Sequence, residues 1–124
     1  MRVLMDTNAL MMPVECNVRV FEELDRLLTT PEPLVPQAVL GELDELAGSH
    51  GDEAVAASVG LDLSERCRPL AHEATSADDA CVELAGEDCE LVCTNDRPLA
   101  ERILERGVPV IGLRGNNTLA ITEP

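Results

Sequence analysis

The sequence contains no lysine, no tryptophan and no tyrosine, and one phenylalanine is its only large aromatic residue. A Walker-type phosphate loop and an enzyme that forms a Schiff base both depend on a lysine, so the absence of lysine excludes both classes. Most modules that bind single-stranded RNA stack the bases on aromatic side chains, which this chain cannot supply. The core is therefore expected to consist of aliphatic side chains, alanine and methionine.

Basic residues are also scarce. The chain has nine arginines and 24 aspartates and glutamates, which gives a formal net charge of −15. Proteins of salt-loving cytoplasms have such acidic surfaces, since 1 M salt shortens the screening length to about 3 Å and weakens self-repulsion. We interpret the negative charge as an adaptation to a cytoplasm of high salt concentration and not as a sign of function. The same charge counts against a nucleic-acid partner, because phosphate binding normally requires a basic surface.

The five cysteines form no Cys-x-x-Cys pair and have no histidine at ligand spacing, so a zinc site is not expected. His50 and His72 are isolated and are expected to be surface or turn residues. The 124 residues are predicted to form a single domain, 1–124. The sequence shows neither a leader nor a long apolar run, which predicts a cytoplasmic protein with free thiols and no membrane contact.

Apolar strands alternate with helices along most of the chain. Short apolar runs predict strands at residues 3–5, 34–36, 91–93 and 108–113, with a possible edge strand near the end of the chain. Helical spacing of apolar residues predicts helices at residues 18–28, 37–47 and 51–67, and further helices that begin near residues 76 and 98. This alternation indicates an α/β fold with a parallel sheet.

Two of the predicted strands end on similar polar segments, Asp6–Asn8 and Thr94–Asp96. Parallel sheets bind ligands beyond the carboxyl ends of their strands, so we expect Asp6 and Asp96 to lie at the same edge of the sheet. A simpler role for Asp6 is to end its strand or to cap a helix.

Two predicted helices carry further acids to this edge. Asp78 and Asp79 follow Ser76 in a pattern that resembles a capping box, which is a structural alternative to a catalytic role. In the helix at residues 37–47, Glu42 and Asp44 lie at the borders of the apolar stripe. Carboxylates that share a cleft need a cation to remain ionised, and Mg²⁺ or Mn²⁺ suits ligands that are all oxygen.

Five segments, in this order, resemble motifs of the PIN-domain nucleases: DTNAL, VLGELDEL, SADDAC, TNDRPL and GVPVIGLRG. The resemblance covers nearly the whole chain and is strongest to an archaeal branch related to endonucleases that process ribosomal RNA. It implies a three-layer α/β/α sandwich with a central, mainly parallel sheet. It also implies a metal-dependent endoribonuclease that acts in ribosomal-RNA processing or RNA turnover.

The resemblance assigns the binding of Mg²⁺ or Mn²⁺ to four acids: Asp6, Glu42, Asp79 and Asp96. If the alignment of the third motif shifts by one residue, Asp78 takes the place of Asp79. Asn8 and Thr94 are expected to be polar neighbours of the acids. Arg97 and Arg114 are candidates for contact with substrate phosphates, and ordinary pairing with surface acids is the alternative for both.

Three other functions remain open from the sequence. The chain resembles the toxin ribonucleases of toxin–antitoxin pairs somewhat less, and a catalytically silent PIN-like module that binds RNA or protein is a further alternative. A small-molecule phosphatase or a receiver-like Mg²⁺ protein is disfavoured by the missing lysine. The expected partners are RNA, a second copy of the chain, and either an antitoxin or a ribosome-assembly protein.

Overall fold

The computed structural model describes all 124 residues, which form six strands and six helices. The strands are β1 (Arg2–Met5), β2 (Glu32–Pro36), β3 (Arg68–Leu70), β4 (Leu91–Cys93), β5 (Val110–Arg114) and β6 (Thr118–Thr122). The helices are α1 (Thr7–Glu15), α2 (Val20–Leu27), α3 (Gln37–Ala47), α4 (Gly51–Ser64), α5 (Ala77–Leu84) and α6 (Arg97–Glu105). None of these helices has the length and apolar character that a membrane crossing requires.

The six strands form one sheet in the order β3-β2-β1-β4-β5-β6. The first five strands in this order are parallel to one another, and β6 runs antiparallel to β5. The chain moves outward from β1 to β3 in one direction and from β4 to β6 in the other. Right-handed crossovers therefore place α1 to α4 on one face and α5 and α6 on the other. The expected α/β/α sandwich with a mainly parallel sheet is confirmed.

Helix α1 was not predicted from the sequence, although it begins directly after Asp6. Its residues 9–12 are consecutive and all buried, so this helix has no polar face in its middle. Amphipathic periodicity, the signal used to predict helices, is therefore missing. The helix is buried because it packs against α4 and also contacts α2 and α3.

The edge strand β3 was also not predicted. It has only three residues, and Arg68 and Pro69 are both exposed, so it lacks the apolar pattern of a strand. Proline is tolerated at such an edge because the outer N–H groups have no partner strand. The edge strand expected near the end of the chain is β6 and is confirmed.

Helices α1 and α4 approach each other closely at Gly60. A Cβ atom added at Gly60 would lie 3.0 Å from the carbonyl oxygen of Leu10 and 3.3 Å from Cδ2 of Leu43. By contrast, a Cβ atom at Gly41 in the middle of α3 would meet nothing within 4 Å. Both glycines therefore lie inside helices, but only Gly60 is closely packed against a neighbouring helix.

Gly60→Ala is expected to destabilise the protein by about 1–2 kcal/mol, because overpacking against the Leu10 backbone outweighs the gain in helix propensity. Gly41→Ala is the matched control and is expected to stabilise the protein by about 0.5–1 kcal/mol. Urea unfolding of both variants measures the two free energies. A Gly60→Ala protein as stable as Gly41→Ala would contradict the close contact.

Candidate active site

The direction of the chain along the sheet reverses between the neighbouring strands β1 and β4. Ligands bind parallel sheets at such points, beyond the carboxyl ends of the strands. Met5 and Cys93 are paired in register at the ends of β1 and β4. The segments that follow these two strands consequently start side by side, and they carry Asp6 and Asp96.

Asp6 is a buried carboxylate, only 3% exposed. Its Oδ1 accepts a hydrogen bond of 2.7 Å from the Ala9 N–H, so Asp6 is the N-cap of α1. Its Oδ2 accepts a hydrogen bond from the hydroxyl of Thr94. The capping role considered from the sequence is therefore real, and Asp6 is in addition fixed to the loop after β4.

Two side chains tie the loop after β1 to the loop after β4. Thr94 Oγ1, which donates to Asp6, also accepts a hydrogen bond of 3.0 Å from the Asp96 N–H. Asn8 Oδ1 accepts a hydrogen bond of 2.8 Å from the Asn95 N–H. Asp96 itself caps α6 by accepting a hydrogen bond of 3.1 Å from the Leu99 N–H. Thr94 and Asn8 thus fix the relative position of the two acids.

The environment of Asp6 opposes its ionisation. Burial raises the pKa of Asp6 to about 7, although hydrogen bonds from Thr94 and Ala9 act in the opposite direction, and the negative charges of Asp78 and Asp96 raise it further. No arginine pairs with Asp6. A buried acid beside two others, with no cation from the protein, is the arrangement expected where a cation or substrate binds.

Asp78 and Asp79 are adjacent in α5 but have different surroundings. Desolvation of its carboxylate and the negative charges of Asp96 and Glu42 raise the pKa of Asp78. Asp79 instead forms an ion pair of 2.9 Å with Arg102, which holds the pKa of Asp79 below its usual value. The Asp79 N–H also donates to Ser76 Oγ at 3.1 Å, which confirms the predicted cap. Asp78, then, is the member of this pair that lies among the other acids.

Glu42 approaches this group from α3. Its side chain is exposed, and its charge raises the pKa of Asp78. The charge of Asp44, the other acid at the border of the α3 stripe, is not among the causes that raise the pKa of Asp6 or of Asp78. Glu42 is therefore the α3 carboxylate on the side of Asp78.

His72 supports the helix that carries Glu42, a role that the sequence analysis missed. The N-cap residue of α3 is Pro36, which has no side-chain acceptor. His72, half-buried in the loop after β3, accepts a hydrogen bond of 3.0 Å from the Ala38 N–H through Nε2. The proline at the start of α3 indicates a need for an acceptor from elsewhere, but local sequence cannot show which residue provides it.

The acids fit a hard divalent ion by their chemistry and do not enclose one by themselves. All of them offer oxygen, which Mg²⁺ and Mn²⁺ prefer. No three acidic, histidine or cysteine side chains lie close enough together to hold an ion as a closed cluster. Mg²⁺ commonly keeps several waters and uses only one or two protein carboxylates, so an open set of acids suits it.

A cleft of about 320 Å³ begins at Thr94 and Asp96 and extends between α6 and the β5–β6 hairpin. Arg97 and Arg114, the two arginines singled out from the sequence, both line it. Gly112 lies on the β5 side of the cleft, where an added Cβ atom would come within 3.0 Å of the Thr94 carbonyl oxygen. The cleft therefore joins Asp96 to the two arginine side chains.

Comparison with known proteins agrees with this geometry. The chain is 28% identical over 118 residues to ribonuclease VapC4 of Methanocaldococcus jannaschii, which covers 91% of this chain and 90% of the relative. The structure of the PIN domain endonuclease Utp24 matches 99% of this chain and 92% of its own, with a TM-score of 0.80 and 28% identity.

A more distant structure shares the fold. It is that of VapBC2 from Rickettsia felis bound to a DNA fragment from their promoter, which matches 92% of this chain with a TM-score of 0.66 and 13% identity. The family described as PIN like domain matches residues 3–116. The chain therefore belongs to the PIN-like domain family.

Proposed function

We propose that the protein is a divalent-metal-dependent endoribonuclease. The observation that carries the proposal is the buried carboxylate of Asp6, which lies beside the charges of Asp78 and Asp96 with no cation from the protein. The names of two relatives, a ribonuclease and a PIN domain endonuclease, support the same reaction class. The substrate is RNA, and the reaction is hydrolysis of a phosphodiester bond.

Four acids would hold Mg²⁺ or Mn²⁺ together with the ion's own waters: Asp6, Glu42, Asp78 and Asp96. This set contains Asp78 where the sequence favoured Asp79, because the Asp79 carboxylate is already paired with Arg102. When bound, the ion supplies positive charge that polarises the phosphate and activates water.

The protein's own residues position this site. Thr94 orients Asp6 through its hydroxyl and holds the Asp96 backbone at the same atom. Asn8 fixes the neighbouring turn. These bonds preorganise Asp6 and Asp96, so little rearrangement is needed when substrate binds.

We propose ribosomal-RNA processing or RNA turnover as the biological role. A toxin role is the second candidate, and the identity to ribonuclease VapC4 favours it. The two roles imply different protein partners, namely a ribosome-assembly protein for the first and an antitoxin for the second. Growth arrest on expression of the chain alone, relieved by the protein of an adjacent gene, would select the toxin role.

The test of the reaction is cleavage of labelled structured and single-stranded RNA in molar KCl with Mn²⁺. Wild type is compared with Asp96→Asn, because asparagine still caps a helix and α6 is expected to remain folded. We expect cleavage by wild type that EDTA abolishes, and a loss of at least about 100-fold in Asp96→Asn. Equal cleavage by both proteins, or none by either, would contradict the proposal.

A further inference from the structure

Most arginines of this acidic chain form an ion pair or a cation–π contact with another side chain. Five of the nine form ion pairs with carboxylates at 2.8–3.2 Å: Arg2, Arg19, Arg26, Arg68 and Arg102. Arg66 lies over the ring of Phe21, 4.1 Å from its centroid. Only three arginines have neither kind of partner: Arg97, Arg106 and Arg114.

Two of these three arginines line the same cleft. Arg97 is the first residue of α6, and Arg114 is the last residue of β5. Both are exposed and face the cleft that starts at Asp96. With 24 acids in the chain, two cations without carboxylate partners in one cleft are unexpected for an ordinary surface. Their placement instead suits an anion that arrives from outside.

The floor of the cleft is open because the facing strands carry small residues there. Gly112 of β5 is paired with Ala120 of β6, and both line the cleft. The volume of about 320 Å³ lies at the lower end of the roughly 300–1,000 Å³ typical of small-molecule sites. One nucleotide fits such a space, whereas a base-paired duplex is too wide to enter it.

Guanidinium groups can recognise both parts of a nucleotide. They bind phosphate oxygens with two parallel hydrogen bonds, and their flat faces stack on unpaired bases. The second property matters because the chain has no tryptophan or tyrosine on which a base could stack. Arg97 and Arg114 are thus able to replace the aromatic platform that the sequence lacks.

We propose that this cleft binds one nucleotide of single-stranded RNA next to the cleaved bond, with Arg97 and Arg114 contacting its phosphate. The proposal rests on the proposed ribonuclease function, because Asp96 places the cleft beside the reacting phosphodiester. It also explains how a protein with a net charge of −15 binds RNA. In molar salt long-range repulsion is screened, and short-range contacts in the cleft decide affinity.

The test measures RNA binding rather than cleavage. A short labelled single-stranded RNA is titrated with Asp6→Asn protein, which carries one less repelling charge in the site. Affinity is followed by fluorescence anisotropy, without a divalent ion, at several KCl concentrations. Added to this background, Arg97→Gln and Arg114→Gln are each expected to weaken binding about tenfold. Each is also expected to reduce the slope of log affinity against log salt by about 0.7.

Arg106→Gln is the matched control, because Arg106 also lacks a carboxylate partner but does not line the cleft. It is expected to change affinity by less than about twofold. If all three variants lose RNA affinity equally, the loss reflects only the change in net charge, and the proposal is overturned. Unchanged RNA affinity in both Arg97→Gln and Arg114→Gln would also overturn it.

A second variant changes the shape of the cleft and keeps its charge. Ala120→Leu fills the floor and is expected to weaken RNA binding about tenfold, while a duplex of the same sequence binds equally poorly to both proteins. Melting temperature verifies that the variant is folded. If Ala120→Leu leaves the RNA affinity of the parent protein unchanged, or if the parent protein does not bind RNA at all, the nucleotide cleft is contradicted. Failure of the proposed function gives a different result from failure of the cleft proposal. In that case wild-type protein binds RNA but does not cleave it.

Discussion

Asp6→Asn is expected to abolish RNA cleavage and, in the same protein, to raise the stability of the metal-free fold. The carboxylate of Asp6 is 3% exposed and lies beside the charges of Asp78 and Asp96, so its ionised form is unfavourable without a bound cation. Asparagine removes that charge and can still accept the Ala9 hydrogen bond that caps α1. We expect cleavage to fall by at least about 100-fold. The free energy of unfolding is expected to rise by about 1–2 kcal/mol.

Cleavage rates and urea unfolding in EDTA, measured on one preparation, test both parts of this prediction. Asp25→Asn is the control, because it removes one exposed acidic charge from α2, a helix without any of the candidate acids. It is expected to leave cleavage unchanged. An Asp6→Asn protein that is less stable than wild type would show that Asp6 is mainly a structural cap.

Asp78→Asn is expected to lower cleavage by at least about 100-fold, whereas Asp79→Asn is expected to lower it by less than about threefold. The two residues are neighbours on one helix with equal charge, so the pair is internally matched. Asp78 is coupled to Asp6, Asp96 and Glu42, while Asp79 is paired with Arg102 on the surface. Single-turnover cleavage at saturating enzyme compares the two variants directly.

A larger loss of cleavage in Asp79→Asn than in Asp78→Asn would make Asp79 the third acid. It would contradict the choice of Asp78 that rests on the Asp79–Arg102 ion pair. Arg102→Gln serves as an additional control, since it releases Asp79 from its ion pair and leaves both carboxylates in place. It also removes a positive charge that lowers the pKa of Asp78, so a small change in activity is expected from that source. If Asp79 is only a surface partner, Arg102→Gln is expected to retain cleavage. Loss of activity in Arg102→Gln equal to that in Asp78→Asn would indicate that the ion pair itself is part of the site.

The fold could be predicted from the sequence where the local pattern and the burial agree. The apolar run that ends at Cys93 and the helix at residues 37–47 have clear periods and clear ends, and the structure places both elements there. Helix α1 was missed because it is buried at four consecutive positions, and β3 because it is a three-residue edge strand. Both cases depend on what packs around the element, which periodicity cannot show.

The candidate site could be predicted only in part for a similar reason. Asp6 and Asp96 follow the ends of parallel strands, and strand topology alone places them together. The choice between Asp78 and Asp79 depends on which carboxylate Arg102 contacts, 23 residues further along the chain from Asp79. The support of α3 by His72 likewise depends on a contact between residues 34 positions apart. Such contacts follow from the tertiary structure and leave no local signal.

Binding of Mn²⁺ to the acidic edge is the central claim, and electron paramagnetic resonance of free Mn²⁺ tests it most directly. Titrations in molar KCl suppress weak binding to the many exposed acids by screening. We predict that wild type and Asp79→Asn bind Mn²⁺ in stoichiometric amounts and that Asp6→Asn and Asp78→Asn do not. Equal binding by all four proteins, or none by wild type, would contradict a metal site formed by these acids.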